Sequence, residues 1–66
     1  MEVVINGKTH QAADRLSLAA AVAMLTDAQT GVAAAVNGDV VRRAAWDATP
    51  LSDGDEVEVL TAVQGG

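Results

Sequence analysis

The sequence predicts one α+β domain, with a single helix covering one face of a four- or five-stranded mixed sheet. Three observations carry this expectation. A chain of 66 residues has room for one domain with a simple core, because a chain this short buries only about 60% of its unfolded surface. Its apolar half is dominated by Ala, Val and Leu, with one Trp and no Phe or Tyr, a set suited to a thin aliphatic core. The hydrophobic period also changes along the chain. Short β-branched runs bounded by Asn-Gly or Asp-Gly flank one stretch with helical spacing.

Val3, Val4 and Ile5 form the first strand-like run, and Asn6-Gly7 follows it. Both turn residues accept the positive φ of a type I′ hairpin turn. Lys8 to Gln11 is the returning strand, polar enough for a sheet edge. Ser17 then opens a helix, its hydroxyl placed to accept a bond from a first-turn N–H. Leu18, Ala21, Val22 and Leu25 recur at i, i+3, i+4 and i+7, one buried stripe. Ala19, Ala20 and Ala23 add helix propensity without bulk. Asp27 is unfavourable at the negative end of the helix dipole, so the helix is expected to end by about Ala28, with Gly31 as a stop. Val32 to Val36 is the next apolar run, closed by Asn37-Gly38, and Val40 and Val41 continue beyond that turn. Arg42 to Asp47 reads as irregular and contains Trp46, and Pro50 holds Thr49 extended. Asp53-Gly54 is a third tight turn. Glu56 to Leu60 is the last strand, in strict alternation. Val57 and Val59 point to the core; Glu56, Glu58 and Leu60 point to the face the helix cannot cover.

Composition excludes several function classes. The formal charge is −5 and only Lys8, Arg15, Arg42 and Arg43 are basic, the wrong sign for a nucleic-acid binder. There is no Cys, which removes disulfides, thiolate metal sites and a thiol nucleophile. A lone His10 cannot build a metal cluster. The N-terminus enters a strand pattern without the charged and apolar regions of a signal peptide. The longest run of low charge, Leu16 to Thr26, is too short to span a bilayer. A soluble cytoplasmic protein with no membrane partner is the expectation.

The chain closes on Gly65-Gly66, just past the last strand. A terminal glycine presents an unhindered backbone carboxylate, and a slim tail can carry it into a narrow cleft. The expected division is a folded domain over 1–61 and a flexible tail over 62–66. The tail reads either as a reactive end or as a frayed terminus. Leu60 stands beside it as an apolar residue on an acidic face, a candidate partner contact.

The hairpin at Asn6-Gly7, the run Val36-Asn37-Gly38-Asp39-Val40-Val41, and Arg43 followed by Trp46 form an ordered series. It continues with Leu51-Ser52-Asp53-Gly54-Asp55 and ends in Val63-Gln64-Gly65-Gly66. This series resembles the ubiquitin-like β-grasp domains, and within them the ThiS family of sulfur carriers in thiamine biosynthesis, over nearly the whole chain. Two positions depart from the family pattern. Arg42 stands where proline is common, and Ala34 where a larger aliphatic is common.

The resemblance implies a protein co-substrate, not an enzyme. It implies that a ThiF-type, E1-like adenylating enzyme uses ATP and Mg to convert the Gly66 carboxylate to an acyl-adenylate, with no cofactor held permanently by the carrier. Sulfur originating from a cysteine desulfurase then gives a thiocarboxylate, which a ThiG-type thiazole synthase consumes. Gly66 and Gly65 are the carrier residues by this resemblance, and Leu60, Ala62, Val63 and Gln64 are the expected partner contacts. With no Cys, the C-terminus is the one sulfur acceptor consistent with the sequence. Two alternatives stay open: a carrier for molybdopterin, cysteine or a specialised metabolite, and a ubiquitin-like modifier or interaction module.

Other conspicuous residues read as structural. Trp46 is expected to pack at the core edge and satisfy its N–H locally. At least one of Arg42 and Arg43 is expected to be solvated or paired within the chain. His10 is read as a surface strand residue, and Asp53 and Asp55 as turn residues, not an acid–base or metal pair.

Overall fold

A computed structural model describes residues 1–27 and 30–61. The elements follow in the order β1 (Glu2–Ile5), β2 (Lys8–Gln11), α1 (Leu18–Ala23), β3 (Val32–Val36), β4 (Asp39–Val41) and β5 (Glu56–Thr61). A 3-10 turn at Arg43–Ala45 lies between β4 and β5, where the sequence suggested only irregular chain. The sheet runs β2-β1-β5-β3-β4. β1 and β5 are parallel, and the other neighbouring pairs are antiparallel. The first strand and the last described strand are therefore neighbours, and β5 takes the centre. This is the ubiquitin-like β-grasp, with polar β2 at one edge and short β4 at the other.

Both hairpins form for the reason legible in their sequences. Asn6 and Gly7 have φ of 51° and 83°, and Asn37 and Gly38 have 51° and 88°. Positive φ at both central positions is the type I′ turn, whose twist matches that of the flanking strands. Gly54, at φ 86°, turns the chain into β5.

The core is built by alternation. Val3 and Ile5 of β1, Ala34 of β3, and Val57 and Val59 of β5 share a buried cluster with Leu18, Ala21 and Val22 of α1. Trp46 and Leu51 complete it from the connection between β4 and β5. Ser17 caps α1, its Oγ accepting the Ala20 N–H at 3.1 Å.

The helix is shorter than its pattern suggested. It stops at Ala23, not near Ala28, and Leu25 is 47% exposed instead of extending the buried stripe. The regular ladder ends there, with the Val22 carbonyl accepting both the Leu25 and the Thr26 N–H at 3.0 Å. The buried positions of α1 all fall between Leu18 and Val22.

The long connection is tied down locally. The Leu18 N–H donates to the Thr49 carbonyl and the Leu51 N–H to the Leu16 carbonyl, both at 2.8 Å. The Trp46 indole Nε1–H donates to the Val41 carbonyl at 2.8 Å, and the Arg43 guanidinium lies 5.1 Å from the indole centroid. Trp46 is thus the buried packing residue expected from sequence, and Arg43 is engaged within the chain. Among the described residues no helix is long and apolar enough to cross a membrane.

Candidate functional site: the central strand and its open face

Five of the six residues named as carrier or partner contacts, Ala62, Val63, Gln64, Gly65 and Gly66, lie outside the described residues, as does the expected tail over 62–66. The site is therefore built up to Thr61, where β5 delivers the chain to them.

β5 is held on both sides, by different means. Against β3 the register is continuous from Val36↔Val57 to Val32↔Thr61. Against β1 it has two residue pairs, Val4↔Glu56 and Ile5↔Val57, because β1 then turns away. The last backbone link is the Asn6 N–H donating to the Val57 carbonyl at 2.9 Å. The Asn6 side chain continues the ladder. Its Oδ1 accepts the Val59 N–H at 2.8 Å, and its Nδ2 donates to the Val59 carbonyl at 3.1 Å. A primary amide offers one donor and one acceptor side by side, so Asn6 stands in for a strand residue that β1 does not supply.

Asn37 plays a matching part at the start of the strand. Its Oδ1 accepts the Glu56 N–H at 2.9 Å and its Nδ2 donates to Asp55 Oδ1 at 3.0 Å. These two side-chain clasps escaped the sequence reading, which used both asparagines only as turn formers. The available signal was that Asn, not Gly or Asp, opens each turn.

The face of β5 opposite α1 is open. Leu60 is 70% exposed, and it lies opposite Ala33. Glu58 lies opposite Ala35, which in turn pairs with Val40 of β4. Val40 is 79% exposed, and it was not singled out from sequence. Leu60, Ala33, Ala35, Val40 and Glu58 line a shallow hollow of about 240 Å³. Exposed Glu56 and Glu2 belong to the same face by strand alternation. The result is a small apolar patch with an acidic margin, spanning β4, β3 and β5, the last described strand before the Gly-Gly end.

The remaining candidates are structural. Asp53 Oδ1 accepts the Glu2 N–H at 2.7 Å, and Asp55 Oδ2 accepts the Ser52 N–H at 2.8 Å. Both carboxylates therefore shape the turn before β5. His10 is half-buried on edge strand β2, opposite Val3. Among the described residues there is no group of three or more His, Cys, Asp or Glu placed to hold a metal ion. A second hollow of about 360 Å³, bounded by Val22, Arg43 and Trp46 among others, lies on the helix side of the sheet, away from the open face of β5.

The comparisons with known proteins agree with this architecture. The ThiS family model matches residues 3–66. A crystal structure of the thiamine biosynthesis protein ThiS from Geobacter metallireducens is 38% identical, with full coverage of both chains and a TM-score of 0.79. A solution NMR structure of a thiamine biosynthesis protein from the same organism is 39% identical, covering all of this chain and 88% of the other, with a TM-score of 0.81. No significantly similar sequence was found among curated proteins. A family match that runs from β1 to Gly66, on a sheet of this topology, makes the chain a member of the ThiS family.

Proposed function

We propose that this protein carries sulfur for assembly of the thiamine thiazole, with the carboxylate carbon of Gly66 as the working atom. The observation that carries the proposal is the family match extending through Gly65 and Gly66. The fold is compatible with it, because β5, the central strand of the sheet, is the last described element before that end.

The chemistry follows from what a carboxylate lacks. It is a poor electrophile at neutral pH, so it must first be activated. A ThiF-type adenylating enzyme joins a Gly66 carboxylate oxygen to the α-phosphorus of ATP and releases pyrophosphate. AMP is then a good leaving group. A persulfide sulfur attacks the acyl carbon, AMP departs, and a thiol cleaves the resulting S–S bond to leave the thiocarboxylate. That sulfur is a stronger nucleophile than the oxygen it replaced, and a ThiG-type thiazole synthase takes it up. The absence of Cys leaves the carrier no thiol on which to bind sulfur instead.

Reach and shape support the same reading. Ala62 to Gly66, fully extended, spans about 16 Å, enough to enter a recessed active site while the domain stays outside. Glycine lacks a Cβ, so the last two residues can pass a constriction. Leu60 and Val40 supply the apolar docking surface for the enzyme, and the glutamates favour a basic surround.

Intact-mass spectrometry tests the proposal. Incubation with the adenylating enzyme, ATP and a sulfide source should exchange one oxygen for one sulfur at the C-terminus, and removal of Gly66 should abolish that gain. A mass gain that survives the deletion would sink the carrier assignment. Isopeptide adducts on other proteins would point to a modifier instead.

A further inference from the structure

We propose that Asn6 is a positioning residue for the carrier chemistry: its side-chain amide fixes the end of β5 and so the point from which the reactive tail leaves the domain. This rests on the carrier reading above. The argument begins with the imbalance in how β5 is held. β1 contributes no backbone hydrogen bond to β5 beyond Val57, yet β3 pairs out to Thr61. In an antiparallel pair, successive backbone amides face alternate sides. The N–H and C=O of Val59 face β1, and both end on the Asn6 side chain. Without it, the last turn of the ladder is held from one side only.

Position makes the clasp consequential. Val59 is two residues from Thr61, so the clasp sits within about 7 Å of the strand end. The docking residue Leu60 lies between them. If the end of β5 frays, extra residues join the tail. Each must be ordered again when the tail enters an enzyme, and the distance between the docked face and the reacting carbon is no longer fixed. Misplacement by about 1 Å can lower a rate 100-fold.

Asn37 is a built-in control. It has the same residue type, the same φ of 51°, the same turn and a comparable pair of side-chain bonds. Its bonds fall on Asp55 and Glu56, about 17 Å from Thr61 along the strand. Glycine accepts positive φ, so Asn6→Gly and Asn37→Gly each keep the turn and delete only the clasp.

The test is carrier-dependent ATP–pyrophosphate exchange by the ThiF-type enzyme, at a temperature where circular dichroism shows both variants fully folded. Asn37→Gly should stay within about 2-fold of the parent in kcat/KM, and Asn6→Gly should fall about 10-fold. Amide hydrogen exchange gives a second readout. Leu60, whose amide faces β3 and does not touch Asn6, should exchange faster in Asn6→Gly and not in Asn37→Gly. Equal kcat/KM and equal Leu60 exchange in the two variants would overturn the positioning role while leaving the carrier reading intact. Failure of the parent itself to support exchange would overturn both. If Asn6→Gly does not fold, Asn6→Asp takes its place, since it keeps the turn and the acceptor but loses the donor to Val59; parent-like turnover in that variant would likewise overturn the role.

Discussion

Replacing Leu60 should separate binding from folding. Complete burial of a leucine side chain is worth about 1.5–3 kcal/mol relative to exposure. Leu60 keeps 70% of its surface open in the free domain, so roughly 1–2 kcal/mol remains to be gained when a partner covers it. Leu60→Thr keeps a strand-favouring side chain and removes most of that apolar surface. Binding to the adenylating enzyme should weaken about 10-fold, while the unfolding free energy stays within about 0.5 kcal/mol of the parent. Leu60→Asp goes further, because it adds an uncompensated charge beside Glu58 at a contact that must be desolvated. The expected loss is about 100-fold. Isothermal titration against the enzyme reads the affinity, and urea unfolding reads the stability. Parent-like affinity in both variants, with native stability, would remove Leu60 from the docking surface. An equally large fall in stability would show that the residue serves the fold instead.

Three further outcomes follow from the packing. Leu18, with 0% exposure, anchors α1, so Leu18→Ala should cost about 2–5 kcal/mol. A domain of this length has roughly 3–10 kcal/mol in all, so denaturant unfolding should show a loss between about a fifth and all of the stability. Trp46→Phe keeps an aromatic in the core but deletes the donor to the Val41 carbonyl, and urea unfolding should show a loss of about 1–2 kcal/mol. Gly38→Ala adds a methyl to open space at φ +88°, so the penalty is conformational alone, and thermal unfolding should report about 1–2 kcal/mol.

The turns were the most legible part of the fold because their chemistry is local. Asn6-Gly7, Asn37-Gly38 and Asp53-Gly54 each declare the positive φ they need. The alternation of Glu56 to Leu60 likewise shows which side chains reach the core. Features that depend on distant pairing did not show. Nothing in Asn6 announces Val59 as its partner, 53 positions away, because that bond exists only once β1 and β5 lie side by side. Leu25 fits the helical period as well as Leu18 does, yet the helix ends at Ala23 and leaves it 47% exposed. The open face was legible through Leu60 but not through Val40, whose exposure depends on β4 being an edge strand.

Placing the chain's last described strand at the centre of the sheet has a mechanical consequence for a carrier. A tail leaving an edge strand would start from a segment paired on one side only. Here β3 holds β5 to Thr61, and Asn6 holds the other side to Val59, so the tail starts from the best-supported strand of the domain. Leu60 and Thr61 are also consecutive, about 3.3 Å apart along the strand. An enzyme that docks on Leu60 therefore receives the start of the tail at a set place without contacting it. Between that place and the Gly66 carboxylate lie five residues of sequence, a fully extended reach of about 16 Å. The proposed docking surface and the tail origin share one strand, so a lesion that loosens β5 near Thr61 should impair both activation and sulfur delivery, while an equally destabilising lesion near Glu56 should spare them.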